Sequence, residues 1–222
     1  MRQLAPIAVL LAALVLAPAA GARVVVVASG DGAATLTDVN TNQVVARVPV
    51  GGRSRAVAAA PDGTRAYVAA GTRVVAVDLG ARTVAGATPV PGTPTAVAAS
   101  SDGQRVYAAR PGGLDVIDAP TMTLKASITL GRRARPTSLA VAHDGTIAAV
   151  TLDSKHVAIV DLERFHLRKR MAVARPAAVA FAPHSDAVWV SASGRLVRFG
   201  PTGRLLGRWN VGKSVGGGGL AW

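Results

Sequence analysis

Apolar and polar positions in this chain follow one another in short runs, without the broad stripes of helices. Brief stretches rich in valine and alanine are separated by Gly, Pro, Asp and Asn. β-branched runs bounded by turn residues predict strands. The runs also repeat. Ala56-Val57-Ala58-Ala59-Ala60-Pro61-Asp62-Gly63-Thr64-Arg65-Ala66-Tyr67-Val68-Ala69 returns as Ala96-Val97-Ala98-Ala99-Ser100-Ser101-Asp102-Gly103-Gln104-Arg105-Val106-Tyr107-Ala108-Ala109. Looser copies run from Leu139 through His143-Asp144-Gly145, and from Val179 through Pro183 to Trp189-Val190. Each unit holds a small-residue apolar run, an Asp-Gly turn, a second run, a polar break, and a third run ending in aspartate at Asp78, Asp118 or Asp161. A fourth run follows, as in Gln43-Val44-Val45-Ala46-Arg47-Val48. Four short strands per repeat predict an antiparallel propeller blade.

With strands lettered a to d outward from the axis, candidate a-strands lie near residues 55–59, 95–99, 137–142, 177–182 and 217–222. The three-strand remainders begin near Val24, Arg65, Arg105, Ile147 and Ala187. The expected fold is therefore all-β: a five-bladed β-propeller of four-stranded antiparallel blades. Its units are about 23–50 plus 217–222, 54–91, 94–131, 136–174 and 177–212. Strand a at residues 217–222 is expected to pair beside Val24 and complete the first blade, hiding both edges. Alanine-rich a-strands suit a narrow axis. Tyr67, Tyr107 and Trp189 share a position on strand b. They are expected to fill the core between blades, with a stacking platform for sugar or base as the functional alternative.

The segment from Asp38-Val39-Asn40-Thr41-Asn42-Gln43 to Val50-Gly51, followed by Pro61-Asp62-Gly63-Thr64-Arg65-Ala66-Tyr67-Val68, resembles the YVTN propeller repeat. The resemblance extends over residues 23–222 and implies the propeller fold. It does not by itself imply an activity, since propellers host many unrelated ones. The chain departs from the pattern at Ser185-Asp186, where Asp-Gly is expected, and has fewer blades than is common in that family. Relatives of this kind include lactonase-like and lyase-like enzymes, with acid or histidine clusters at one mouth of the axis, and some that contact DNA.

Charge sharpens the functional reading. The formal net charge is +13, which favours anionic partners. Blade topology puts b–c loops and d–a connections on one side, and a–b and c–d turns on the other. The first set carries Arg53, Arg55, Arg73, Arg110, Arg132, Arg133, Arg135, Lys155, Arg175, Arg195 and Lys213, against Asp31 and Asp153. These basic residues are the candidate binding face. The other set gathers Asp62, Asp102, Asp144, Asp186 and Glu163 with Asp38, Asp78, Asp118 and Asp161. Aspartates recurring at turn starts are expected to accept local backbone amides. The run Arg164-Phe165-His166-Leu167-Arg168-Lys169-Arg170 falls on an outer strand, where cations discourage edge pairing.

No catalytic constellation emerges. His143, His156, His166 and His184 fall on different turns and blades without ligand spacing, and Glu163 is the only glutamate. Residues 216–219 read as a flexible approach to the closing strand. The chain lacks cysteine, which excludes disulfides, thiolate metal sites and a cysteine nucleophile. Residues 1–22 read as a secretory signal peptide: Arg2, an apolar run, and Ala20-Gly21-Ala22 at the cleavage position. Its apolar run of roughly fourteen residues is short of the ~20 needed to span a membrane. The expectation is an extracytoplasmic, non-enzymatic propeller, residues 23–222, with no cofactor or catalytic metal. Its basic face would engage an anionic polymer, a nucleic acid or an acidic protein. The alternatives are a small lactonase-like hydrolase or lyase, and a purely structural repeat protein.

Overall fold

Valine-rich runs pair with one another because a strand's backbone groups demand partners, and stacking of the resulting sheets buries both faces of the middle strands. The computed structural model describes residues 24–153, 155–182 and 185–212, and among them contains strands and no helix. The proposed signal segment at residues 1–22, the strand placed at 217–222, His184 and Lys213 lie outside the described residues.

The described strands form five antiparallel sheets in chain order. Sheet 1 contains β1 (Val24–Ala28), β2 (Ala33–Asp38) and β3 (Gln43–Pro49). Sheet 2 contains β4 (Ser54–Ala59), β5 (Arg65–Ala70), β6 (Arg73–Asp78) and β7 (Thr83–Pro89). Sheet 3 contains β8 (Ala96–Ala99), β9 (Arg105–Arg110), β10 (Gly113–Asp118) and β11 (Thr123–Thr129). Sheet 4 contains β12 (Pro136–Val141), β13 (Ile147–Leu152), β14 (His156–Asp161) and β15 (His166–Ala172). Sheet 5 contains β16 (Pro176–Phe181), β17 (Val188–Ala192), β18 (Arg195–Phe199) and β19 (Leu205–Asn210). Every sheet is an up-and-down meander, the organisation of a propeller blade.

Each outer strand carries a bulge at the same place, leaving Val45, Ala85, Lys125, Arg168 and Leu206 without a partner in the pairing register. A bulge raises local twist and spoils the edge as a template for another strand. Arg168 and Lys125 thus sit where an outer edge is already interrupted.

Sheets pack face to face through separate apolar cores. Leu36, Val48, Val68 and Val75 join sheets 1 and 2; Tyr67, Val74, Val106 and Ile117 join sheets 2 and 3. Tyr107, Leu114, Ile128, Val150 and Val160 join sheets 3 and 4; Ile147, Ile159, Met171, Phe181 and Val188 join sheets 4 and 5. Alternation along each strand sends successive side chains to opposite neighbours. Tyr67 and Tyr107 are accordingly buried, at 3% and 0% exposure.

The innermost strands stand side by side and are tied across blades. Thr95 Oγ1 donates to the Pro136 carbonyl at 2.8 Å, and the Val179 amide donates to Ser138 Oγ at 3.3 Å. Trp189, at the position of the two tyrosines, packs on the remaining face of sheet 5. There its ring lies 5.1 Å from that of Trp209 and 5.5 Å from the Arg198 guanidinium carbon. Trp209 stays 45% exposed.

Candidate functional site: a basic loop side

One backbone bond recurs in every sheet and fixes which loops lie together. The first residue after each outer strand donates to the carbonyl of the loop between the second and third strands of that blade. The pairs are Val50 to Gly32, Val90 to Thr72, Leu130 to Gly112, Val173 to Lys155 and Val211 to Gly194, each at 2.9 Å. The connection to the next blade is thereby pinned onto the b–c loop. A matching bond works on the other side: Leu79 donates to Thr64, Ala119 to Gln104 and Leu162 to Thr146. The two loop families therefore occupy opposite sides.

Arg53, Arg55, Arg73, Arg132, Arg133, Arg135, Lys155, Arg175 and Arg195 are all exposed on the first side. Arg55 is the extra residue of a bulge between Ser54 and Ala56, which turns it out of the β4 ladder. The carboxylates on that side are occupied. Asp31 pairs with Arg47 and accepts Ser29 Oγ at 2.8 Å. The Ser29 hydroxyl, and then the Ala33 amide, hold the Asp31 carboxyl below its ordinary value. Asp153 accepts the Lys155 amide at 2.8 Å and lies 3.8 Å from His156 Nδ1.

Arg110 is placed differently from its neighbours on this side. Its guanidinium makes a two-pronged pair with Asp115, Nε to Oδ2 at 2.8 Å and Nη2 to Oδ1 at 3.0 Å. Asp115 is fully buried and also accepts Ser127 Oγ at 2.6 Å. Arg110 therefore neutralises a buried carboxylate instead of offering charge to solvent.

Arg170 is the residue that strand-edge reasoning placed elsewhere. It pairs with Ala158 across β14 and β15, so it faces sheet 3, and its Nη2 donates to the Leu130 carbonyl. Alternation could have located it: Met171, next along the strand, is in the core against sheet 5, so Arg170 must turn the other way. Together with Arg132 and Arg133 it lines a cleft of ≈ 370 Å³ that also includes Leu130, Gly131, Ala134, Leu152, Asp153 and His156.

The second side is built from aspartates that serve the backbone. Asp62, Asp102 and Asp144 accept amides of Thr64, Gln104 and Thr146 at 3.0, 2.9 and 2.9 Å. Asp38, Asp78, Asp118 and Asp161 do the same for the turns leading to the outer strands. These bonds lower the carboxyl of Asp62 (chiefly the Thr64 amide), Asp102 (Ser100 hydroxyl), Asp118 (Thr121 hydroxyl) and Asp161 (Arg164 amide) below the ordinary value. Among the described residues no three His, Asp or Glu side chains converge at metal-binding distance.

No family model and no curated protein matches the chain. Among solved structures, one titled Kuenenia stuttgartiensis hydrazine synthase is similar at 20% identity and a TM-score of 0.73, over 80% of this chain. The match spans 59% of that structure's length. At this identity the likeness concerns the fold, which does not determine an activity.

Proposed function

We propose that this protein is an extracytoplasmic, non-enzymatic propeller of the YVTN-repeat type that uses its basic loop side to bind an anionic partner, a polymer, nucleic acid or acidic protein. The carrying observation is the division of charge between the two loop families. Exposed arginines crowd one side, where Asp31 and Asp153 are already engaged, while the aspartates of the other side are consumed by turn amides. A rigid array of guanidiniums suits phosphate, sulfate and carboxylate groups. The test is affinity of the full chain for heparin, polyphosphate and duplex DNA across salt concentrations. Each neutralised phosphate should add about 0.7–0.9 to the slope of log K against log salt. Replacing Arg53, Arg73 and Arg195 with glutamine should flatten that slope, and Lys125→Gln, on an outer strand, should not. A salt-independent affinity for all three would overturn the reading.

In the same reading the propeller closes, with residues 217–222 as the innermost strand of the first blade. Two observations support this. Sheet 1 has three strands among the described residues where the others have four. Sheet 5 also presents Trp189 and partly exposed Trp209 on the face that a closed arrangement would turn toward sheet 1. Deleting residues 217–222 should lower the melting temperature and red-shift tryptophan emission; an unchanged melt would exclude closure by this segment.

A further inference from the structure

The cleft between sheets 3 and 4 gathers three cations around one hollow. Leu130, Ala134 and Leu152 are buried at 0%, 7% and 3% exposure, and Arg132, Arg133 and Arg170 line the same space. Among the described residues, none of these three arginines has a carboxylate within ion-pair distance. The comparison with blade 3 is informative. There, the two positions corresponding to Arg170 and its cross-strand partner Ala158 are Ser127 and Asp115, and an arginine is held by the acid. Blade 4 presents the cation and omits the acid.

Gly131 shows how closely the Arg170 guanidinium lies against the connection. A Cβ there would come within 2.5 Å of Arg170 Nη2, and its φ of +109° disfavours any side chain. Glycine lets the guanidinium lie against the connection. The carboxylate of the rim, Asp153, is turned to the Lys155 amide and His156.

We infer that this cleft is a specific site for a phosphate monoester carried on a small polar ring, such as a sugar phosphate. Three guanidiniums without a carboxylate partner, one of them anchored on the Leu130 carbonyl, match a dianionic tetrahedral group better than a single carboxylate. A volume of ≈ 370 Å³ exceeds what a bare phosphate fills and lies near the lower end of small-ligand pockets, about 300–1,000 Å³. The apolar stems of the arginines can meet the ring face. The inference rests on the basic side being the ligand side, and makes one part of it a discrete pocket.

The experiment titrates the full chain at low salt with glucose 6-phosphate, inorganic phosphate and glucose, using calorimetry. Glucose 6-phosphate should bind at least several-fold tighter than inorganic phosphate, and glucose should give no heat. Arg133→Gln and Arg170→Gln should each weaken glucose 6-phosphate about tenfold or more, the loss expected for a charge-assisted bond. Arg195→Gln, at the sheet 5 loop, should weaken it several-fold less than Arg133→Gln. Because Arg170 also bonds Leu130, its variant needs a thermal melt beside it; Arg133 is an exposed loop residue and carries the test alone if that melt shifts. Equal sensitivity to Arg133→Gln and Arg195→Gln would reduce the cleft to part of a diffuse field and overturn the inference. So would absence of glucose 6-phosphate binding alongside intact, salt-sensitive polymer binding, an outcome that leaves the proposed function standing. Displacement of bound glucose 6-phosphate by a phosphorylated glycan would mark the polymer-borne ester as the ligand; failure to displace would mark the free one.

Discussion

Replacing Arg110 with alanine should be among the most damaging single changes in the protein, and the internal repeat supplies its own control. The change strands the Asp115 carboxylate, fully buried, with Ser127 Oγ as its remaining side-chain donor. Losing one member of a buried pair costs about 3–5 kcal/mol, because an uncompensated charge stays behind. The Arg110 side chain is 14% exposed, so water can reach the vacated position, which puts the expectation near the lower end, about 3 kcal/mol. For a domain of this size that is roughly 6–12 °C in melting temperature. Blade 2 fills the three equivalent positions with Ala70, Val75 and Ala87 in the same register. The blade geometry therefore does not require the ion pair. The triple change Arg110→Ala, Asp115→Val, Ser127→Ala should restore stability to within about 1 kcal/mol of the parent, since apolar replacement of a buried pair is often neutral or better. Urea unfolding followed by tryptophan fluorescence measures both. If the triple variant is as unstable as Arg110→Ala, the loss comes from packing of the arginine stem and the argument from stranded charge fails.

Gly52→Ala should cost about 1–3 kcal/mol as overpacking, since a Cβ there would lie 2.9 Å from the Gly71 backbone nitrogen and 3.1 Å from its Cα; a melt within a degree of the parent would show that this connection yields. Tyr107→Ala opens the core between sheets 3 and 4 and should cost about 3–5 kcal/mol, whereas Val84→Ala, 43% exposed, should change little in the same urea assay. Acid should destabilise the fold through the turn aspartates. The carboxyls of Asp62, Asp102, Asp118 and Asp161 are lowered from 3.8 in the folded state. Their contribution is therefore complete above the unfolded value, and is lost as pH falls through the folded ones. The urea midpoint should hold steady from pH 7 to 5 and fall below about pH 4, less steeply in Asp102→Asn; a midpoint rising in that acid range contradicts the assignment.

The strand pattern was legible because two local rules agree. Asp-Gly at 62–63, 102–103 and 144–145 sets a turn through an aspartate oxygen and a left-handed glycine. The valine runs on either side then have only antiparallel neighbours within reach. What local patterning could not give was the partner of a charge. Arg110 reads as a loop cation until the register puts Asp115 beside it, although a carboxylate inside Leu114-Asp115-Val116-Ile117, where blade 2 has Val75, is a visible anomaly. Arg170 reads as an edge cation until alternation is followed through Met171. In both cases the missing information was which face of a strand looks at which blade, a property of the assembled stack.

The two loop families answer to different constraints, and this separates stability from recognition. On one side, Asp62, Asp102 and Asp144 hold equivalent turns by equivalent bonds, so replacing one breaks a turn. On the other, the recurrent bond runs between backbone groups alone, from Val50, Val90, Leu130, Val173 and Val211 to the b–c loops. That bond is indifferent to the side chains around it. Arg73 and Arg195 share the first position of the third strand, where blades 3 and 4 have Gly113 and His156, so the blade itself does not require an arginine there. Backbone-only pinning lets the side chains of this loop family vary without cost to the blade, which is the freedom a recognition surface needs.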